Sequence, residues 1–130
     1  MELVADILRA RTDPAVHTIA PTVSVFEAMT NMAEKHIGAL VVVEDGKVVG
    51  IVTERDYARK IALKSRASRK TPVRDIMTFP VISVRLDQTL GDCRAMMARN
   101  HLRHLPVIDS DGLVGMISIR DLLNEIIANL

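Results

Sequence analysis

The sequence predicts an α+β fold made of two β-α-β-β-α half-domains, and two observations lead to this prediction. The first is an internal repeat, because residues 50–56 (GIVTERD) return 65 positions later as residues 115–121 (GMISIRD). The second is the hydrophobic pattern of each copy, in which β-branched runs typical of strands alternate with apolar residues spaced three and four apart, as in helices. Two copies of one supersecondary unit therefore share the 130 residues.

Each half carries the same order of predicted elements. In the first half these are a helical lead-in at residues 4–8, strand 17–19, a helix capped by Ser24, strands 39–43 and 48–52 joined by a tight turn, and helix 54–64. In the second half they are lead-in 73–77, strand 82–84, helix 90–100 capped by Thr89, strands 104–108 and 113–117, and helix 119–128. We place the first repeat with its lead-in at residues 1–66 and the second repeat, after a basic linker, at residues 67–130.

A three-stranded sheet in a half of this size cannot bury both of its faces alone. The sequence therefore predicts that the two sheets pack together about a pseudo-two-fold axis, with the helices outside. This arrangement would leave two equivalent clefts where strand ends meet the opposite half.

Composition and charge argue against several classes of function. Hydrophobic residues make up 48% of the chain, yet no apolar run approaches the ~18 residues that a membrane span requires. The first residues do not resemble a signal peptide, so we expect a cytoplasmic protein without a membrane role. A net charge of +1 and 2% aromatic residues argue against nucleic-acid binding. Cys93 is the only cysteine, which rules out an internal disulfide and favours a packed thiol over a nucleophile.

The repeated stretch is the main candidate for function. In each copy an apolar strand passes directly into a helix N-terminus, where Thr53 or Ser118 is followed three positions later by Asp56 or Asp121. Free backbone N–H groups and the helix dipole favour a phosphate at such a junction, and the carboxylate can accept two hydrogen bonds from a ribose diol. The same Ser/Thr-x-x-Asp spacing forms a plain capping box, so capping alone remains the alternative.

A basic stretch separates the two halves. No acid occurs between Asp56 and Asp75, whereas seven basic residues lie there, namely Arg59, Lys60, Lys64, Arg66, Arg69, Lys70 and Arg74. The stretch is typical of a helix end followed by a solvated linker, and the alternative is a surface that meets phosphates or an acidic partner. On that alternative, NAD or a di- or triphosphate would suit Asp56, and AMP would suit Asp121.

Two further motifs occur beside the repeated stretch. They are the lead-in at residues 75–78 (DIMT) and the strand at residues 105–109 (LPVID). Together with the two strand-to-helix junctions they resemble a tandem cystathionine-β-synthase (CBS) domain pair, the regulatory Bateman module. The resemblance covers essentially the whole chain. It implies an adenine nucleotide, such as AMP, ATP or NAD, as the regulatory ligand.

The resemblance also implies the site residues, with the aspartates on the ribose and the hydroxyl residues at the ribose-phosphate junction. One cleft would contain Thr53, Asp56, Thr78 and Val81, and the other would contain Ser118, Asp121, Thr12 and Val16. Arg55 and Arg120, each one residue before an aspartate, complete this set.

A basic pair adds candidate phosphate contacts. Arg103 and His104 stand where related modules carry a basic pair that touches phosphate, and in the first half Gly38 and Ala39 take these positions. The two sites would therefore differ in ligand or affinity. His101 and His104 could instead form a metal pair, but no further ligand cluster supports this, so we predict no metal.

We therefore expect a stand-alone regulatory module that senses an adenine nucleotide and transmits the ligand state to a protein that the sequence does not identify. The resemblance further implies a homodimer formed through helical faces. One alternative is a ligand-free dimerisation module in which the motifs only cap helices. The other is a nucleotide-dependent enzyme, although the chain has no Gly-x-Gly-x-x-Gly turn and no suggestive Ser/His/Asp or Cys/His set.

Overall fold

The computed structural model describes residues 2–13 and 15–130. Its mixture of helices and small sheets confirms the predicted α+β class. In chain order the elements are helix α1 (Val4–Arg9), strand β1 (Thr18–Ile19), helix α2 (Val25–Lys35), strands β2 (Ala39–Glu44) and β3 (Lys47–Thr53), helix α3 (Glu54–Tyr57), a π-helical turn (Ala58–Ala62), two 3-10 turns (Ser68–Lys70 and Val73–Asp75), helix α4 (Leu90–Asn100), strands β4 (His104–Asp109) and β5 (Gly112–Ser118), and helix α5 (Ile119–Ala128).

The chain divides into two compact units that exchange their lead-in segments. We call His17–Val81 the first-repeat unit, and Met1–Val16 together with Ile82–Leu130 the second-repeat unit. Helix α1 thus belongs to the unit of the second repeat, and the turn Val73–Asp75 belongs to the unit of the first. The compact units therefore differ from the division of the sequence into residues 1–66 and 67–130.

The first-repeat unit contains a three-stranded sheet in the order β1-β2-β3. Strand β1 is parallel to β2, and β2 and β3 form an antiparallel hairpin with a bulge between Val42 and Val43. The hairpin turns at Asp45 and Gly46, whose φ angles of 52° and 76° match the primed turn that suits the twist of paired strands. These elements agree with the predicted strands and tight turn.

The core of this unit explains the exchange of lead-ins. Val73 and Ile76 are buried among residues of α2, β2 and β3, including Met32 and Leu40. Met32 of α2 is part of this core, and Met29 packs against it. Because burial of each such side chain stabilises the fold by about 1.5–3 kcal/mol, the lead-in is an integral part of this unit.

The second-repeat unit has the same design with a smaller sheet. Strands β4 and β5 form an antiparallel hairpin, but residues 82–84 do not form the predicted third strand. Of these three residues only Val84 pairs with β4. Val84 N donates to Pro106 O (2.9 Å), and Val84 O accepts from Ile108 N (2.9 Å). In the first-repeat unit the next bond of this ladder runs from Val41 N to His17 O. Pro106 takes the place of Val41 and has no N–H to donate, so the ladder ends there.

The lead-in α1 completes the core of the second-repeat unit. Val4 and Ile7 are buried with Cys93, Met97 and other residues of this core. A Cβ atom added to Gly115 would come within 2.7 Å of Leu8 Cδ1, and one added to Gly50 within 2.6 Å of Met77 Sδ. The glycine at the start of each repeated stretch therefore marks the place where the lead-in approaches β5 or β3.

The helix after the first repeated stretch differs from the expected helix 54–64. Helix α3 ends at Tyr57, and the chain continues as the π-helical turn, closed by Leu63 N donating to Ala58 O (3.1 Å). Its counterpart α5 is a regular helix over Ile119–Ala128, as predicted.

Candidate functional site

The two repeated junctions form the same hydrogen-bonded frame. In the first, Asp56 Oδ2 accepts from Thr53 N (3.0 Å) and Thr53 Oγ1 (3.1 Å), while Asp56 N donates to Thr53 Oγ1 (3.1 Å). In the second, Asp121 Oδ2 accepts from Ser118 N (2.7 Å) and Ser118 Oγ (3.1 Å). Both aspartates therefore form a capping box, and that box uses only one carboxylate oxygen of each.

Thr78 comes from the second repeat of the sequence but lies in the first-repeat unit. Its backbone pairs with Ile51 of β3, where Thr78 N donates to Ile51 O (2.8 Å) and Ile51 N to Thr78 O (3.1 Å). This pairing brings Thr78 Oγ1 to 3.1 Å from Asp56 Oδ1. Thr53, Asp56 and Thr78 thus meet in one site, and the half-buried Val81 follows three residues later.

Lys60, one of the residues of the basic stretch, lies at the Asp56 site. Its Nζ atom lies 3.1 Å from Asp56 Oδ1 and donates to Ile76 O at 2.7 Å. The signal for this contact was present in the sequence, because residues four apart lie on one face of a helix. Lys60 lies within the predicted helix 54–64, and its contact with Asp56 is a role that the prediction did not assign to it.

Two other residues of the basic stretch also contact the protein. Arg66 lies 3.4 Å from Asp75, and the Arg69 guanidinium lies 3.7 Å from the centre of the Phe26 ring. The basic stretch is therefore held in part by an ion pair and a cation–π contact within the first-repeat unit.

Arg11 is the cation at the Asp121 site, and the sequence analysis missed it. Its Nη2 atom donates to Asp121 Oδ2 (2.9 Å) and to Met116 O (2.7 Å). Thr12, the residue predicted at this site, is exposed and forms no hydrogen bond within residues 2–13 and 15–130. No local pattern could have indicated Arg11, because 110 residues separate it from Asp121.

The remaining predicted residues lie around these two frames. Ala39 pairs with Thr53 across the β2-β3 ladder, and His104 pairs with Ser118 across the β4-β5 ladder. Arg103 O accepts from Ile119 N at 2.8 Å. Of the other predicted residues, Val16 and Arg55 are half-buried and Arg120 is exposed.

The structure also describes the residues relevant to metal binding, membrane insertion and cysteine chemistry. Among the described residues, no three His, Cys, Asp or Glu side chains are grouped as metal ligands would be, and no helix is long and apolar enough to cross a membrane. His101 ends α4 in the left-handed conformation, which gives it a structural role at the helix terminus. Burial and the nearby Asp92 raise the pKa of the Cys93 thiol to about 11, so its thiolate is scarce at neutral pH.

Comparison with known proteins shows where this architecture occurs. The family model described as "CBS domain" matches residues 4–63 and 73–128. A CBS domain-containing protein of Arabidopsis thaliana, CBSX3, mitochondrial, is 39% identical over 109 residues, which are 80% of this chain and 53% of that protein. The chain thus spans about half the length of this relative.

Solved structures agree with the match. A protein with CBS domains from Burkholderia ambifaria MC40-6 is 45% identical, with a TM-score of 0.95 over 98% of this chain and 96% of that one. The CBS domain pair of protein MJ0100, in complex with 5′-methylthioadenosine and S-adenosyl-L-methionine, is 26% identical, with a TM-score of 0.87 over 100% of this chain and 99% of that one.

Proposed function

This chain belongs to the CBS domain family, as its motifs predict, and we propose that it is a regulatory module that binds an adenine nucleotide at Asp56, Asp121 or both. The candidate ligands are AMP, ATP and NAD, which share an adenosine. Ligand binding would change the state that a regulated partner protein recognises.

The observation that carries the proposal is the repeated carboxylate frame. Each aspartate is held by the backbone N–H and the hydroxyl of the residue that ends a strand, at 2.7–3.1 Å. Such a carboxylate is fixed in direction before a ligand arrives, which lowers the entropic cost of accepting hydrogen bonds from the two hydroxyls of a ribose. A cation lies beside each frame, Lys60 at one and Arg11 at the other, and either could interact with a phosphate.

The likeness to the MJ0100 domain pair supports the adenosine part of the proposal. Both ligands of that protein contain adenosine, and neither contains phosphate. In this chain the cations beside each aspartate would determine which group is accepted beyond the ribose.

Calorimetric titration with AMP, ATP and NAD tests the proposal, together with mass spectrometry of the purified protein for a retained nucleotide. We expect Asp56→Asn and Asp121→Asn each to weaken binding at one site by ~10- to 100-fold, because hydrogen bonds to a charged acceptor contribute ~1.5–3 kcal/mol.

The matched control is Asp92→Asn. Asp92 forms the same capping box with Thr89 at the start of α4, where Asp92 Oδ2 accepts from Thr89 N at 3.0 Å. Capping alone would make the three variants equivalent. If Asp92→Asn weakens nucleotide binding as much as the other two, or if no nucleotide binds the unmodified protein, the proposal is wrong.

A specific observation favours self-association as a second property. Helix α5 leaves Leu123, Ile126 and Ile127 exposed, beside a groove of about 800 Å³ that Leu90, Leu122 and neighbouring polar residues line. A contiguous apolar face of this kind marks an interface, and a closed two-fold dimer is the commonest way to cover it. We propose a homodimer through this face.

Sedimentation at tens of micromolar separates the possibilities. We expect a dimer for the unmodified chain and a monomer for Ile126→Glu, because a buried charge without a partner opposes association. A monomeric unmodified chain would contradict the proposed dimer. A dimer that shows no thermal shift with any of the three nucleotides would favour the ligand-free dimerisation module.

A further inference from the structure

We infer that Lys60 makes the Asp56 site selective for phosphorylated nucleosides, whereas the Asp121 site also accepts a neutral nucleoside. The inference rests on the proposed function and concerns which ligands each site admits. The reason lies in the hydrogen bonds and ion pairs that each carboxylate already forms with the chain itself.

Both carboxylate oxygens of Asp56 already contact groups of the chain itself. A carboxylate has about four lone-pair positions, two on each oxygen. Oδ2 serves the backbone N–H and hydroxyl of Thr53, at 3.0 and 3.1 Å. Oδ1 accepts from Thr78 Oγ1 at 3.1 Å and forms an ion pair with Lys60 Nζ at the same distance. A ribose diol can therefore reach Oδ1 only by displacing Thr78 or Lys60, the two groups that are not part of the capping box.

Asp121 is arranged differently. Its three donors, Ser118 N, Ser118 Oγ and Arg11 Nη2, all lie on Oδ2. Within residues 2–13 and 15–130, no donor lies on Oδ1. The side chain of Asp121 is 21% exposed, compared with 10% for Asp56. A ribose hydroxyl can therefore bind Oδ1 of Asp121 while Arg11 stays in place.

Displacing Lys60 has a cost that depends on the ligand. The ammonium has three donors, and after displacement it would keep only the Ile76 carbonyl, without a counter-ion. A ligand phosphate would restore the lost charge pairing, and the Lys60 side chain, 41% exposed on a flexible stem, can swing towards it. Adenosine offers no such compensation. Lys60 thus acts as an internal competitor that a nucleotide neutralises and a nucleoside does not.

The repeat supplies no second lysine of this kind. Glu125 occupies the position of Lys60 in α5, so the helix that carries Asp121 has an acid where α3 is followed by a base. The selectivity for phosphorylated nucleosides is therefore expected at the Asp56 frame and not at the Asp121 frame.

Calorimetry with adenosine and AMP tests the inference, with Asp121→Asn present in every variant so that only the Asp56 site is measured. The readout is the ratio of the two dissociation constants, Kd for adenosine over Kd for AMP. We expect Lys60→Met to lower this ratio at least ~10-fold, because adenosine binds more tightly without the competitor and AMP loses its charged partner. Lys60→Arg, which keeps the charge, should preserve a ratio above that of Lys60→Met.

Lys47→Met is the matched control, since Lys47 is exposed at the opposite end of β3 from Thr53 and its loss removes the same charge. Thermal melting checks folding, and Lys60→Gln, which can still donate to Ile76 O, replaces Lys60→Met if that variant is unfolded. The inference is overturned if the ratio is the same in the Lys60 and Lys47 variants while AMP still binds. Failure of the unmodified chain to bind either compound would instead overturn the proposed function, and this inference with it.

Discussion

Asp56 and Asp121 occupy the same position of the two repeats, and their hydrogen bonds within the repeat are the same. Their cations are different. Lys60 lies one helical turn after Asp56, whereas Arg11 reaches Asp121 from the N-terminal segment. The lysine binds the oxygen that the capping box leaves open, and the arginine binds the oxygen that the box already uses.

The frames are built from neighbouring residues of each repeat, whereas the cations beside them come from outside the repeated stretch. The residues that build the frame lie within four positions of each other, so duplication copies the frame unchanged. The cations lie outside the strictly repeated stretch, one in the helix that follows and one before the first strand. Substitution there can change the ligand preference of one site without disturbing the strand, the cap or the carboxylate.

The largest expected effect concerns the exchanged lead-ins. Ile76 is 1% exposed in the core of the first-repeat unit, and Ile7, at the equivalent lead-in position, is 9% exposed in the core of the second-repeat unit. We expect Ile76→Ala to lower the free energy of unfolding by about 3 kcal/mol and Ile7→Ala by about 2 kcal/mol, because each leaves a cavity among packed apolar residues. Urea denaturation measures both.

Leu63→Ala is the control for this pair, since Leu63 is 78% exposed and its truncation should change stability by less than about 0.5 kcal/mol. If Ile7→Ala costs no more than the control, α1 is not an integral part of its unit.

The next effect concerns the contribution of the aspartates to stability. Asp56 accepts three hydrogen bonds, forms an ion pair with Lys60 and is nearly buried. Asp121 also accepts three hydrogen bonds, one of them from Arg11, and is more exposed. We expect Asp56→Ala to lower the free energy of unfolding by about 2–3 kcal/mol and Asp121→Ala by about 1–2 kcal/mol. The same denaturation experiment gives both values.

Asp92→Ala removes only an exposed capping box and should cost about 0.5–1 kcal/mol. Equal losses for Asp56→Ala and Asp92→Ala would mean that Lys60 and Thr78 add nothing to the stability of the first-repeat unit.

The smallest effect depends on pH and is confined to the second-repeat unit. A hydrogen bond with Glu125, together with its negative charge and that of Asp6, raises the pKa of Glu2. Because the folded-state pKa is raised, the stabilisation is fully present below the ordinary pKa and is lost as the pH rises through the raised value.

Glu2→Gln mimics the protonated carboxyl, so we expect it to melt at the same temperature as the unmodified chain near pH 4 and at a higher temperature near pH 7. Thermal melting across this range, with Glu34→Gln on α2 as the background, gives the measurement. If the melting temperatures of Glu2→Gln and the unmodified chain differ by the same amount at pH 4 and pH 7, the proposed hydrogen bond between Glu2 and Glu125 is wrong.

Much of the architecture could be predicted from the sequence because its signals are local. The strands β2 to β5 and the helices α2, α4 and α5 follow from apolar periodicity and from caps such as Ser24 and Thr89. Each of these signals lies within about a dozen neighbouring residues. The strand predicted at residues 82–84, which the structure lacks, rests on the repeat of the first half. What prevented it is Pro106, which lies on the neighbouring strand and lacks the N–H that the ladder needs.

The repeat, the α+β class and the two carboxylate frames follow from the sequence. Each frame is local, because its hydroxyl residue and its aspartate are three residues apart and a helix N-terminus fixes their geometry. The exchange of the lead-ins and the contacts of Thr78 with Asp56 and of Arg11 with Asp121 arise only when the chain folds. These contacts join residues 22 and 110 positions apart, so they depend on how apolar surfaces are buried when the chain folds and leave no periodic signal in the sequence.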